Sequence, residues 1–143
     1  MALITISGYP SSGKTTRANE IFNFLEKKLQ KPEYQGPNLK VVLLSDDSLD
    51  IPRAAYNGHF YPSRPFWQLT AFVADSKSEK AARGALFTAI QRLIAQDTLL
   101  IVDSLNYIKG FRYQVYCAAR EMKLRVCTVR AFISPWQPDL RHS

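Results

Sequence analysis

Short apolar runs alternate along the chain with segments in which apolar residues recur every three or four positions. The runs at 2–6, 41–44, 98–102 and 124–129 are rich in branched aliphatic residues, which predicts four buried β-strands. Continuous apolar runs are typical of strands whose two faces are both covered. The pattern therefore predicts an α/β fold in which a parallel sheet lies between layers of helices.

Helices are predicted in the segments between these strands. One begins after Gly13, and its apolar face consists of residues spaced three or four positions apart: Ala18, Ile21, Phe22, Leu25 and Leu29. A second spans about 78–96 with Ser78 as its N-cap, and a third follows Gly110. The stretches 57–73 and 130–143 contain prolines and no clear period, so neither is assigned an element.

The charge of the chain narrows the class of ligand. The 143 residues, one domain's length, carry a net charge of +7. Such a domain suits a nucleotide, RNA or an anionic surface, although solubility alone would also explain the charge. No apolar run is long enough to span a membrane. The two cysteines form neither a disulfide framework nor a metal-site spacing, which is typical of reduced thiols in the cytoplasm or the nucleus.

The segment between the first strand and the first helix matches the phosphate-loop pattern G-x-x-x-x-G-K-[ST]. Its glycines allow the backbone to curl around a phosphate, and the N–H groups at a helix N-terminus form an anion site. Lys14 is expected to reach the β- and γ-phosphates, and the Thr15 hydroxyl to bind Mg²⁺. The predicted nucleotide-binding residues in this pattern are Gly8, Pro10, Ser11, Ser12, Gly13, Lys14 and Thr15.

Carboxylates follow two of the predicted strands. Asp103 ends the third strand, and with a phosphate loop upstream a Mg²⁺-binding role is favoured over a turn or a helix cap. Asp46 and Asp47 end the second strand, and ligands bind at this edge of open α/β sheets, so either could orient a nucleophile. The pair could equally cap a turn, and position in the sequence does not choose between the two residues.

Basic residues lie near the starts of the second and third predicted helices. Arg83 could fold over the γ-phosphate, although a solvated helix face is favoured on the sequence alone. Lys109 and Arg112 are interleaved with Phe111 and Tyr113, a pattern that could bind RNA by pairing and stacking. The alternative is a helix start whose aromatic residues enter the core.

These segments together resemble the Elongator-associated P-loop ATPase family, also called the killer-toxin-insensitivity or chromatin-associated family, a relative of L-seryl-tRNA(Sec) kinase. The resemblance rests on four segments: Gly8 to Thr16, Ser45-Asp46-Asp47-Ser48-Leu49, Ser78-Glu79-Lys80 with Arg83, and above all the long motif from Ile101 to Tyr113. Matching segments cover roughly 1–55 and 75–129.

The resemblance implies a kinase-type P-loop fold of three α/β/α layers, with strand order 2-3-1-4-5 and with ATP and Mg²⁺ as ligands. It implies tRNA-responsive ATP hydrolysis that supports Elongator in modifying the wobble uridine of tRNA. It adds Thr16 to the nucleotide-binding residues, favours Asp46 over Asp47, turns Arg83 towards the phosphates and makes Asp103 the metal carboxylate. The implied catalytic residues are Lys14, Asp46, Arg83 and Asp103.

The resemblance also implies a domain organisation. Residues 1–129 form the nucleotide-binding domain, with a non-matching insertion at about 57–73 and a non-matching tail at 130–143. A fifth strand and a tRNA-binding domain follow in the family. The corresponding expectation is a cytoplasmic protein, with the nucleus as a second location, that has Elongator and tRNA as partners and does not associate with membranes.

Two alternative functions are also consistent with these residues. Asp46 could accept a proton from a substrate hydroxyl, which would make the protein a phosphotransferase acting on RNA or a small molecule. Nucleotide binding could instead order loops that present the basic, aromatic helix to a partner, with little turnover.

Overall fold

A computed structural model describes residues 2–9, 11–50, 69–104, 106 and 108–132, with only the backbone described for 69–77. In this part of the chain, four strands form one parallel sheet. They are β1 (Ala2–Gly8), β2 (Lys40–Ser45), β3 (Thr98–Asp103) and β4 (Arg125–Ala131). Their order is β2-β3-β1-β4, which confirms the kinase-type order for these strands.

Helices connect the strands, as parallel pairing requires. They are α1 (Lys14–Leu29), α2 (Leu69–Leu93) and α3 (Lys109–Glu121), and a short 3₁₀ turn, Asp47–Leu49, follows β2. Among the described helices, none is both long and apolar enough to cross a membrane.

Several predicted boundaries are wrong. Ser78 is not an N-cap, because α2 already begins at Leu69. The prolines that argued against an element in 57–73, Pro62 and Pro65, precede residue 69, so no proline interrupts the helix from there. The helix ends at Leu93 rather than near 96, α3 begins one residue before Gly110, and β4 continues past Val129. The stretch 57–68 lies outside the described residues.

Two apolar clusters, one on each face of the sheet, establish the three layers. Helix α1 packs on one face, where Ile6, Ala18 and Ile101 are buried together with the predicted residues Ile21, Phe22 and Leu25 against them. Helices α2 and α3 pack on the other, whose buried residues are Leu3, Leu44, Leu86, Ile90, Ile94, Leu100, Val102, Phe111, Val115, Ala119 and Leu124. The predicted α/β/α fold is therefore confirmed.

Strand register brings the predicted site residues to one edge of the sheet. Asp103 at the end of β3 pairs with Ile6 of β1 on one side and with Ser45 of β2 on the other. Because the strands are parallel, the segments after β1, β2 and β3 all leave from the same edge. The phosphate loop and the carboxylates that follow β2 and β3 therefore meet there.

Candidate nucleotide-binding site

The loop after β1 has the backbone that its glycines predict. Gly13, the N-cap of α1, has a φ of 77°, and Ser11 has a φ of 59°. The turn is closed by the Ser12 N–H, which donates to the Tyr9 carbonyl at 3.2 Å. A Cβ at Gly8 would overlap the Ala131 carbonyl oxygen and would lie 2.7 Å from Ser12 Oγ. Gly8 is therefore required by close backbone approach, and Gly13 by its left-handed conformation.

Lys14 folds back over this loop. Its ammonium donates to the Tyr9 carbonyl oxygen at 2.7 Å and to that of Gly8 at 3.3 Å. Partial burial lowers the pKa of Lys14, while the negative charges of Asp103 and Asp46 act in the opposite direction. The cation therefore lies within electrostatic reach of both carboxylates, although they follow different strands.

Asp103 and Thr15 offer oxygen ligands to a cation. The Asp103 carboxylate is buried at the end of β3, and Thr15 is exposed in the first turn of α1. Mg²⁺ commonly takes one or two carboxylates and completes its coordination with substrate phosphates and water. One carboxylate and one hydroxyl beside a phosphate loop fit that pattern.

Ser12 supplies a further polar atom within the loop. Its hydroxyl oxygen is buried and has no hydrogen-bond partner among the described residues. Buried hydroxyls ordinarily have a partner, and a phosphate oxygen held in the loop would provide one. Exposed Ser11 and Thr16 lie on either side, and predicted Pro10 lies outside the described residues.

Asp46 and Asp47 differ in their surroundings. Asp46 is half-buried and directly precedes the 3₁₀ turn, and its charge acts on Lys14, whereas Asp47 is exposed. The turn is braced by Ser48, whose hydroxyl donates to the Ser45 carbonyl at 2.6 Å. The charge of Asp46 therefore reaches Lys14, and the catalytic role that the resemblance implies for Asp46 stays a prediction.

Arg83 pairs with an acidic neighbour on its own helix. Its Nε lies 3.8 Å from Oε1 of Glu79, one turn earlier in α2, and the Glu79 side chain is buried. The ion pair accounts for the position of Arg83 without a nucleotide, so its role at the phosphates stays a prediction.

The two residues predicted to contact RNA or a partner have separate environments. Lys109 is exposed at the start of α3. Arg112 is half-buried, and its Nη1 donates to the Asn106 carbonyl at 2.6 Å. Of the aromatic residues interleaved with them, Phe111 enters the core, whereas Tyr113 is 66% exposed. Lys109 and Tyr113 therefore face solvent, while the half-buried Arg112 binds the segment after β3.

Sequence reasoning missed Asn106. Its buried side chain donates from Nδ2 to the Ile6 carbonyl at 2.9 Å and accepts a hydrogen bond from the Ser104 hydroxyl at 3.0 Å. Its signal in the sequence is its place in the motif from Ile101 to Tyr113, which does not distinguish it from its neighbours. The contact with Ile6, which it makes across 100 residues of sequence, appears only in the folded chain.

Comparisons with known proteins bear on the family and the fold of the chain. The family model described as "Chromatin associated protein KTI12" matches residues 1–140. Protein kti12 of Schizosaccharomyces pombe is 40% identical over 133 residues, which cover 93% of this chain and 41% of that protein. The crystal structure of Chaetomium thermophilum Kti12 in complex with ADP-AlF3 has a TM-score of 0.71 and 34% identity, covering 93% of this chain and 61% of that one. APS kinase CysC of Mycobacterium tuberculosis, 15% identical, shares the fold with a TM-score of 0.58 over 96% of this chain and 81% of that one.

The extent of these matches bears on the domain organisation. The family match runs through 57–73 and through most of 130–143, so the assignment of these stretches as insertion and tail stays a prediction. The chain spans about two-fifths of the length of its fission-yeast relative (41%). The match over residues 1–140 and the similarity to a solved Kti12 confirm the resemblance found in the motifs. The chain belongs to the KTI12 family.

Proposed function

We propose that this chain binds ATP with Mg²⁺ and hydrolyses it to ADP and inorganic phosphate. The observation that carries the proposal is the meeting of the phosphate loop with two carboxylates, Asp46 and Asp103, both of which act on Lys14. Further support comes from Chaetomium thermophilum Kti12, whose crystal structure is in complex with ADP-AlF3 and which is 34% identical to this chain.

Each part of the loop has a task in the proposed complex. The loop N–H groups and the Ser12 hydroxyl donate to phosphate oxygens. Lys14 exchanges the Tyr9 carbonyl for oxygens of the β- and γ-phosphates, which neutralise its charge better than a carbonyl does. Thr15 and Asp103 would hold Mg²⁺, which when bound offsets the phosphate charge.

Asp46 is proposed to orient the attacking water. Its carboxylate accepts a hydrogen bond from the water, whose oxygen bonds to the γ-phosphorus as the bond from that phosphorus to ADP breaks. The proton of the water passes to Asp46 or to the phosphate formed. Arg83 joins the site by exchanging Glu79 for a γ-phosphate oxygen, where it stabilises transition-state charge.

Calorimetric titration with Mg-ATP, followed by phosphate release, tests this proposal. The wild type and Asp46→Asn are expected to bind, and Lys14→Ala is not. Turnover should fall by about 10²-fold or more in Asp46→Asn because the water loses its acceptor. Lys28→Ala, an exposed lysine on α1, is the matched control and should behave as wild type. A folded wild type that does not bind Mg-ATP would contradict the proposal.

The same samples separate the two alternatives. Labelled phosphate that appears on RNA or on a small hydroxyl compound, rather than in solution, would identify a phosphotransferase. Binding of a partner that depends on ATP but survives Asp46→Asn, with little phosphate released, would identify a nucleotide-gated binding module.

We also propose that tRNA stimulates hydrolysis in the longer protein, and that the activity supports Elongator in modifying the wobble uridine. A surface that suits RNA is the α3 stripe, formed by Lys109, Tyr113, Tyr116 and Arg120. The two tyrosine rings stack with centroids 6.3 Å apart at 25°. Arg120 lies 5.8 Å from the Tyr116 ring centroid and donates to its hydroxyl. Unpaired bases stack on exposed aromatic rings, and neighbouring cations attract the backbone phosphates.

Binding of labelled tRNA and of a single-stranded oligonucleotide, followed by fluorescence anisotropy, tests the α3 stripe. The pair Tyr113→Ala/Tyr116→Ala is expected to weaken binding by about tenfold or more because base stacking is lost. The control is Phe24→Ala, since Phe24 is also an exposed aromatic ring with a lysine over it, but it lies on α1. Equal losses in both variants would contradict the assignment.

The partners and location follow as proposals from the same family membership. A tagged chain is expected in the cytoplasm with a nuclear fraction, and to capture Elongator from cell extract in the presence of Mg-ATP. The Lys14→Ala chain, which does not bind nucleotide, is the matched control. Capture that is equal in the two chains would contradict nucleotide-dependent partnership.

A further inference from the structure

One buried side chain, Asn106, joins the segment after β3 to β1. Its Nδ2 donates to the Ile6 carbonyl at 2.9 Å and, over a longer 3.4 Å, to the Val102 carbonyl. The Ser104 hydroxyl donates to its Oδ1 at 3.0 Å. Because both acceptors are carbonyl oxygens, only the amide nitrogen can face them, which fixes the orientation of the side chain.

These contacts lie between the two halves of the proposed site. Ile6 is two residues before Gly8, and it pairs with Asp103 across β1 and β3. Val102 directly precedes Asp103 in β3. Asn106 therefore ties the strand that leads into the phosphate loop to the strand that ends in the metal carboxylate.

The backbone carbonyl of Asn106 adds a third attachment. It accepts hydrogen bonds from the Ser7 hydroxyl at 3.3 Å and from Arg112 Nη1 at 2.6 Å. Ser7 precedes Gly8, and Arg112 lies in the first turn of α3. The guanidinium bond is the shorter one and is strengthened by its charge. One residue therefore connects the end of β1, the end of β3 and the start of α3.

We infer that Asn106 is a positioning residue for ATP hydrolysis, which fixes Asp103 relative to the phosphate loop, with Arg112 holding it in place from α3. This inference rests on the hydrolysis proposed above. Loss of the amide leaves two buried carbonyl oxygens without this donor and removes one of the attachments that hold the two strand ends beside each other. Small displacements of groups that must act together reduce turnover far more than they reduce binding.

The test compares Asn106→Ala with the wild type and with Thr5→Val in the 143-residue chain. Asn106→Ala is expected to lower kcat by about 10- to 100-fold and to raise the Mg²⁺ concentration needed for half-maximal turnover, with a smaller change in KM for ATP. Thr5→Val is the matched control. This change also removes a buried polar group of β1, the Thr5 hydroxyl, which lies 3.0 Å from the Thr128 hydroxyl. Thr128 belongs to β4, which pairs with β1 on the side away from Asp103.

The outcomes separate this inference from the function on which it rests. A wild type without turnover overturns both. If the wild type turns over, Asn106→Ala is compared with Thr5→Val at equal Tm. Changes in kcat and in Mg²⁺ dependence that are no larger in Asn106→Ala than in Thr5→Val overturn the positioning role alone. If Asn106→Ala does not fold, Ser104→Ala and Arg112→Gln take its place, since each removes a hydrogen bond to Asn106 and retains the Asn106 amide. An unchanged Mg²⁺ dependence in both of these overturns the inference.

Discussion

The loop after β1 and the segment after β3 face each other across the proposed site, but they are held in opposite ways. The turn of the loop is closed by contacts within a few residues, from the Ser12 N–H and the Lys14 ammonium to the Tyr9 carbonyl, and only its first residue, Gly8, is described as packing closely against another strand, at Ala131 of β4. The segment after β3 is held by Asn106, whose partner Ile6 lies 100 residues away. A short motif is therefore enough to find the loop, whereas the other half of the site depends on strand pairing.

The largest effect is expected on the β3 side. Asp103→Asn keeps the shape of the side chain but removes its charge, so turnover should fall by about 10²-fold or more while nucleotide binding by the loop persists. The measurement is phosphate release against Mg²⁺ concentration, beside nucleotide affinity. Asp97→Asn, the same change at an exposed residue just before β3, is the control and should leave both values unchanged. Full turnover in Asp103→Asn would contradict the proposal that Asp103 binds the metal ion.

The next effect distinguishes the two glycines of the loop. Gly8→Ala places a methyl group against the Ala131 carbonyl, so we expect a loss of stability of about 1–3 kcal/mol together with weakened nucleotide binding. Gly13→Ala meets no atom of the described residues within 4 Å, so the expected penalty is that of its positive φ, about 1–2 kcal/mol. Urea denaturation of both variants measures the difference. A larger loss in Gly13→Ala than in Gly8→Ala would contradict the close approach of β4 to the loop.

A smaller effect is expected at a glycine that belongs to neither half of the site. Gly84 is exposed within α2, and a Cβ there would meet nothing within 4 Å in the part of the chain that the structure describes. Gly84→Ala should therefore raise stability by about 0.5–1 kcal/mol through helix propensity, and should leave turnover unchanged. Thermal unfolding and phosphate release measure the two effects. Lower turnover would show that a reacting group approaches α2 at this position.

The smallest effect concerns the pH dependence of stability. Burial lowers the pKa of Lys14 in the folded chain, so the unfolded chain binds this proton more tightly. The free energy of unfolding therefore rises with pH between the lowered pKa of Lys14 in the folded chain and its ordinary pKa in the unfolded chain. Lys14→Met removes that rise. Tm should increase less with pH in Lys14→Met than in wild type on the alkaline side of neutrality. Parallel curves would show that burial does not disfavour the charge.

Much of the fold could be predicted from the sequence, because strands buried on both faces are continuous apolar runs. The four strands and α1 were found in this way, with errors of a few residues at their ends. The start of α2 was missed because prolines earlier in the same stretch obscured the helix that begins at Leu69. The sequence did not show that Arg112 points inward and Tyr113 outward, since the buried and exposed faces of α3 are set only when the helix packs on the sheet.

By itself, the sequence determined the phosphate loop, because Gly13 and Lys14 act through the local backbone of eight consecutive positions. The close approach of Ala131 that requires glycine at position 8 appears only in the folded chain. It also placed Asp46 and Asp103 at strand ends. Only the tertiary structure decided that both carboxylates act on Lys14 and that Asn106 links the two halves of the site. The physical reason is that strand register and buried hydrogen bonds join residues about 100 positions apart, and no local pattern records such pairings.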